Sequence, residues 1–198
     1  MRRRHAASAF VLLLTTIALT LVSAAARAET LQEKIAQCVA CHGEAGQSGN
    51  PDIPHIGGQP KLFVMYQLFF YREGRRASLE MNTVAKGMTD ADLTALSEFV
   101  AKLPPPPQAG GDADAARYAR GANVAAKRIC ASCHNPDYSG REQMPRLAGQ
   151  REAYLLKSFK EYQAGKRIGT QAAMAEALRG LDDAQLSDLA HYLTHFRK

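Results

Sequence analysis

All four cysteines of this 198-residue chain fall in two matching settings. Cys38 and Cys41 are separated by two residues and followed at once by His42; Cys130, Cys133 and His134 repeat the pattern. Two thiols one helical turn apart can each add to a vinyl group of one haem, and the adjoining imidazole can then reach its iron from one face. Cys-x-x-Cys-His is the c-type haem attachment sequence. Redox-active disulfides or zinc half-sites would use the same thiols, and structural disulfides would suit an exported chain. None of these requires a histidine directly after the second cysteine in both copies.

The elements that must position these groups form an internal repeat, which is sought before other fold reasoning. At an offset of 91, Pro54, Gly58, Gln59, Phe63, Tyr71, Gly74 and Arg76 match Pro145, Gly149, Gln150, Tyr154, Tyr162, Gly165 and Arg167. The attachment motifs are offset by 92, and Met81, Asp90, Leu93 and Phe99 match Met174, Asp183, Leu186 and Tyr192 at 93. Between the copies, Pro104 to Pro107 and Gln108-Ala109-Gly110-Gly111 read as an extended polyproline spacer loosened by glycine. The expected domains are 29–103 and 113–198, with 104–112 as linker.

Each half reads as a short helix, a long loop and two further helices. Leu31 to Ala40 and the Ala-rich stretch Ala113 to Ala131 favour helix. Apolar residues recur at helical spacing over Lys61 to Arg72 and Glu152 to Ala164, with Gly74 and Gly165 placed to stop them. The last helices are expected from Thr89-Asp90 to Lys102 and from Asp182-Asp183 to Phe196, with short acidic residues at their starts. No segment alternates with strand period. The expected fold class is all-α, as two tandem domains.

Composition sets the context. Hydrophobic residues make up 46% and charged residues 22%, as in a soluble globular protein. There is no Trp, and two domains of this size bury little apolar surface, so a covalent staple is expected. Arg2 to Arg4, the apolar run Ala6 to Val22 and the small-x-small site Ala26-Arg27-Ala28 read as a secretory leader cleaved after Ala28. An uncleaved anchor is the alternative, although the run falls short of the ~20 strongly apolar residues of a membrane span. Without the leader the net charge falls from +6 to +2, divided as −2 over 29–103 and +4 over 104–198. Such asymmetry can orient docking on a charged partner. No basic run with interleaved aromatics points to nucleic acid.

With these residues in view, the chain resembles class I c-type cytochromes joined in tandem, and is most similar to the di-haem cytochrome c4 family. The likeness rests on the two attachment motifs, on Pro54 and Pro145, on the Gly-Gln pairs at 58/59 and 149/150, and on the late Met of each half. It implies a periplasmic electron shuttle carrying two covalent haem c groups. Cys38, Cys41, Cys130 and Cys133 would attach them, with His42 and His134 as axial ligands to iron. By the same resemblance Pro54 and Pro145 offer backbone carbonyls to those histidines, and Phe99 and Tyr192 pack the last helix against the first. The partners implied are redox proteins, an electron donor and an acceptor such as a terminal oxidase, a cytochrome complex or a dehydrogenase, in a respiratory setting. Peripheral membrane association is compatible with that role.

The repeat selects the sixth ligands. Met65 matches Leu156, Met144 matches Ile53 and Met88 matches Leu181, whereas Met81 and Met174 match each other. These two follow the attachment histidines by 39 and 40 residues, far enough to approach the haem from its other side. With both axial positions filled, no substrate bond is made or broken and the chain is not expected to be an enzyme. A di-haem peroxidase and a haem-bearing dehydrogenase subunit are the rival readings. His191 and His195, four apart, are expected as a solvent-facing pair rather than a metal site. The first helix is expected to be the shorter of the two, because the position matching Gly121 falls near Glu29.

Overall fold

The computed structural model describes residues 29–107, 113–167 and 172–197. The expected leader, 1–28, and residues 108–112 of the expected linker lie outside the described residues. Among the described residues the first half contains α1 (Leu31–His42), α2 (Lys61–Arg72), α3 (Leu79–Ala85) and α4 (Asp90–Lys102). The second contains α5 (Ala115–Lys127), α6 (Ala131–His134), α7 (Glu152–Gln163), α8 (Ala172–Leu178) and α9 (Asp183–Thr194). No strand occurs among them; Arg141 and Met144 form an isolated bridge. No described helix is long and apolar enough to cross a membrane.

Local chemistry sets most of the boundaries. Helix α4 starts at a capping box between Thr89 and Asp92, and α9 at one between Asp182 and Gln185. Helix α2 ends with the Arg75 amide on the Phe70 carbonyl and the Gly74 amide on that of Tyr71. This Schellman closure needs the left-handed backbone that Gly74 supplies, at φ +65°. Gly165 closes α7 in the same way, with Lys166 on Glu161 and Gly165 on Tyr162.

Two expectations need correction. The stretch 113–131 is not one helix: α5 stops at Lys127, and Cys130 starts a separate short helix, α6. Its closure is again of Schellman type, with Cys130 on Ala125 and Ile129 on Ala126, but the left-handed position, φ +48°, is held by Ile129. The short helices α3 and α8, which carry Met81 and Met174, have no counterpart among the expected helices. Helix α3 owes its start to Ser78, whose hydroxyl accepts from the Met81 amide.

Each half has its own core. Val64, Leu68, Ala85, Met88, Leu93, Leu96 and Val100 pack together in the first; Leu155, Phe159, Leu178, Leu186, Leu189 and Leu193 form the heart of the second. The first helix meets the last in each, α1 on α4 and α5 on α9. The prolines that follow α4 are in no helix and are packed against the glycine turns of both halves. A side chain on Gly57 would fall 2.3 Å from the Pro104 carbonyl oxygen, and Gly58 and Gly149 lie against Pro105 and Pro106. Gln47 adds a hydrogen bond to the Pro105 carbonyl at 3.2 Å. The segment therefore lines both glycine turns, one from each half.

Candidate functional site

Helix α1 runs directly into the first motif, so Cys38, Cys41 and His42 lie on consecutive turns of one helix. In the second half, α6 performs this task after the break at Ile129. All four thiols are free, with Cys41 and Cys133 exposed and the other two half-buried. Burial pushes the Cys38 and Cys130 thiols up, which keeps them protonated.

His42 and His134 are buried, and each Nδ1 meets one carbonyl oxygen: Pro54 at 2.9 Å and Pro145 at 2.8 Å. A carbonyl only accepts, so Nδ1 carries the proton and Nε2 keeps its lone pair. Burial lowers the pKa of both imidazoles against the opposing pull of the carbonyl, which favours the neutral ring a metal requires. The carbonyl also fixes the ring's orientation and raises its strength as a ligand. Free paired thiols beside a neutral imidazole of fixed tautomer fit a covalently attached haem, and the site occurs twice.

Met81 on α3 and Met174 on α8 are half-buried, each packed against the core of its own half, and both helices rest on the preceding long helix, α2 or α7. Met88 is part of the first core at 5% exposure. Tyr192 packs edge-on against Tyr118 of α5, with ring centres 4.9 Å apart, while Phe99 lies against the first core.

The chain is a di-haem cytochrome c of the cytochrome c4 family. The family model for cytochrome c matches residues 25–104 and 118–196, one match to each half. Cytochrome c4 of Pseudomonas aeruginosa is 30% identical over 195 residues, which cover 92% of this chain and 96% of that protein. A protein of Thiomonas intermedia named as a thiosulfate dehydrogenase electron acceptor is 33% identical over 170 residues, 80% of this chain and 77% of its own. The cytochrome c4 structure of Acidithiobacillus ferrooxidans superposes with a TM-score of 0.72 at 30% identity, over 81% of this chain and 99% of that one. This cytochrome therefore carries two covalent haem c groups and transfers electrons.

The halves meet through groups that the sequence reading left without a role. Gln150 accepts from the His55 amide and donates to the His55 carbonyl, both at 2.8 Å; Gln59 does the same with Arg146, at 3.0 and 3.1 Å. His55 and Arg146 are themselves 91 apart, so the contact has approximate two-fold symmetry, and the recurring Gly-Gln pair was its signal in the sequence. Two buried arginines, Arg76 and Arg167, complete the junction. Their recurrence was visible; their burial was not.

His191 departs from expectation. It is buried at 5% exposure rather than solvent-facing, with Nδ1 2.9 Å from Glu152 and Nε2 accepting from the Asp114 amide at 3.1 Å. His195 and Glu152 bring further ligand atoms close, so the trio has the composition of a metal site. Both ring nitrogens of His191 are committed to protein partners, however, and the Arg117 guanidinium stands 3.2 Å from its Nδ1. A cation there would face that positive charge.

Proposed function

We propose that this cytochrome is exported to the periplasm, where it passes single electrons between redox proteins and breaks no substrate bond. Its domains would be 29–103 and 113–198, joined by 104–112, after a leader ending at Ala28. Haem, when bound, supplies the one-electron chemistry of its iron. Cys38 and Cys41, and Cys130 and Cys133, would hold the two groups, with His42 and Met81, and His134 and Met174, as the ligands to their irons. The protein's part is to fix the ring of each histidine, to keep it neutral and to surround the site with apolar side chains. A soft thioether opposite a histidine raises the potential, as suits a shuttle. The single observation that carries this reading is the duplicated buried histidine with its Nδ1 on a proline carbonyl.

The name of the Thiomonas relative favours a dehydrogenase as the electron donor, whether the two proteins meet transiently or stay associated. Copurification at high salt distinguishes these cases: a monomer supports the shuttle, a persistent complex the subunit. The ligand assignment is tested by replacement. Met81→Ala and Met174→Ala should each remove about half of the weak Met-to-iron absorption of the oxidised protein and lower one potential, while Met88→Leu leaves both irons six-coordinate. Loss of the first-half signal in Met88→Leu but not in Met81→Ala would reverse the assignment.

A further inference from the structure

Among the contacts between the halves that the repeat does not reciprocate is one made by Arg76. Arg76, in the segment after α2, donates from Nη2 to the hydroxyl of Tyr154 on α7, across the interface, at 2.9 Å. The residue matching Tyr154 is Phe63, which has no hydroxyl to offer Arg167. Arg167 is instead held by its own half, through Glu161 at 2.9 Å, Ser158 at 2.8 Å and Tyr154 itself. Arg76 has only neutral partners in its own half among the described contacts: Gln67 Oε1 at 2.6 Å and the face of the Tyr71 ring, 4.7 Å from the guanidinium carbon.

The second guanidinium therefore has a carboxylate partner and the first does not, although Arg76 is only 7% exposed. A cation buried among neutral groups is costly unless a counter-charge is supplied, and haem carries propionate carboxylates. Burial pushes the Tyr154 phenol up, but Arg76 and Arg167 outweigh this and draw it down to about 7, so both charges bear on one hydroxyl. The Arg76 segment is also tied to the helix of the proposed sixth ligand. Asn82, next to Met81, donates to the Arg76 carbonyl at 3.0 Å and to that of Tyr71 at 2.6 Å.

We propose that Tyr154 is a positioning residue that holds Arg76 from the second half, so that the potential of the first-half haem depends on apposition of the halves and that of the second-half haem does not. The proposal rests on the reading of one haem per half. A fixed cation favours the reduced, more negative state of a nearby redox centre, so release of Arg76 lowers the potential it acts on.

The test uses the full-length, haem-loaded protein, with the two potentials followed separately through haem-methyl NMR signals during redox titration. Tyr154→Phe, which removes one oxygen, should lower the first-half potential by more than the second, because Arg167 keeps Glu161 and Ser158. Arg76→Gln should lower the same potential further. Phe63→Tyr, which offers Arg167 the missing hydroxyl, should move the second-half potential and not the first. An unchanged first-half potential in Tyr154→Phe, or equal movement of both, would overturn the proposal. A native mass showing fewer than two haems would instead overturn the haem reading beneath it.

Discussion

The two halves share a plan but solve the crossing of first and last helix differently. In the second half, α5 lies so close to α9 that a side chain at Gly121 would stand 2.1 Å from the Asp188 carbonyl oxygen and 2.6 Å from the Tyr192 Cβ. Arg120 reaches the Asp188 carboxylate at 2.6 Å, and Arg117 joins Glu152, also at 2.6 Å. In the first half, α1 begins only at Leu31 and meets α4 over a shorter stretch, through Lys34 on Asp92 at 2.6 Å and the apolar Ile35. The same fold is secured by backbone proximity in one half and by the Lys34–Asp92 ion pair with apolar contact in the other.

A second contrast concerns charge. Glu152 and His191 join α7 to α9, and the matching residues, Lys61 and Glu98, join α2 to α4 with the acid on the other helix. His191 is nearly enclosed, whereas both side chains of the first-half pair are more than 40% exposed. The position demands a polar bridge, and burial decides what that bridge contributes.

The largest effect is expected at the crossing. Gly121→Ala should destabilise the second half by about 3 kcal/mol, since the new methyl group can be accommodated only by separating two backbones. Thermal unfolding followed separately at the two haems checks this, and equal losses in both halves would show that they unfold as one unit. Next comes the bridge. Glu152→Gln should cost about 2 kcal/mol, because it weakens charged hydrogen bonds to Arg117 and His191, while Lys61→Met should stay within about 0.5 kcal/mol. Chemical denaturation of both variants measures the difference.

The smallest effect is a pH dependence of the junction. Burial, with the nearby charge of Arg151, holds the His55 pKa down at about 4, against 6.5 for the free ring. Its contribution to holding the halves together is therefore complete above pH 6.5. It diminishes as the pH falls toward 4, because the opened form takes up a proton that the closed form refuses. Small-angle scattering should show a modest loosening over that window, which His55→Asn abolishes.

Much of this was legible in the chain alone. Chemistry that needs a fixed local order, such as two thiols and an imidazole, leaves its spacing in the sequence, and duplication made the proline, Gly-Gln and methionine positions readable by register. Helix ends marked by glycine or by capping residues were readable for the same reason. The break after α5 was not, because Ile129 occupies a left-handed position that usually announces itself with glycine. Helices α3 and α8 are seven residues each, too short for periodicity to register, and rest on α2 and α7. The burial of His191, Arg76 and Arg167 lay equally beyond reach. A side chain's enclosure depends on what folds over it, and the residues that enclose Arg76 include one, Tyr154, that stands 78 positions away in the other half.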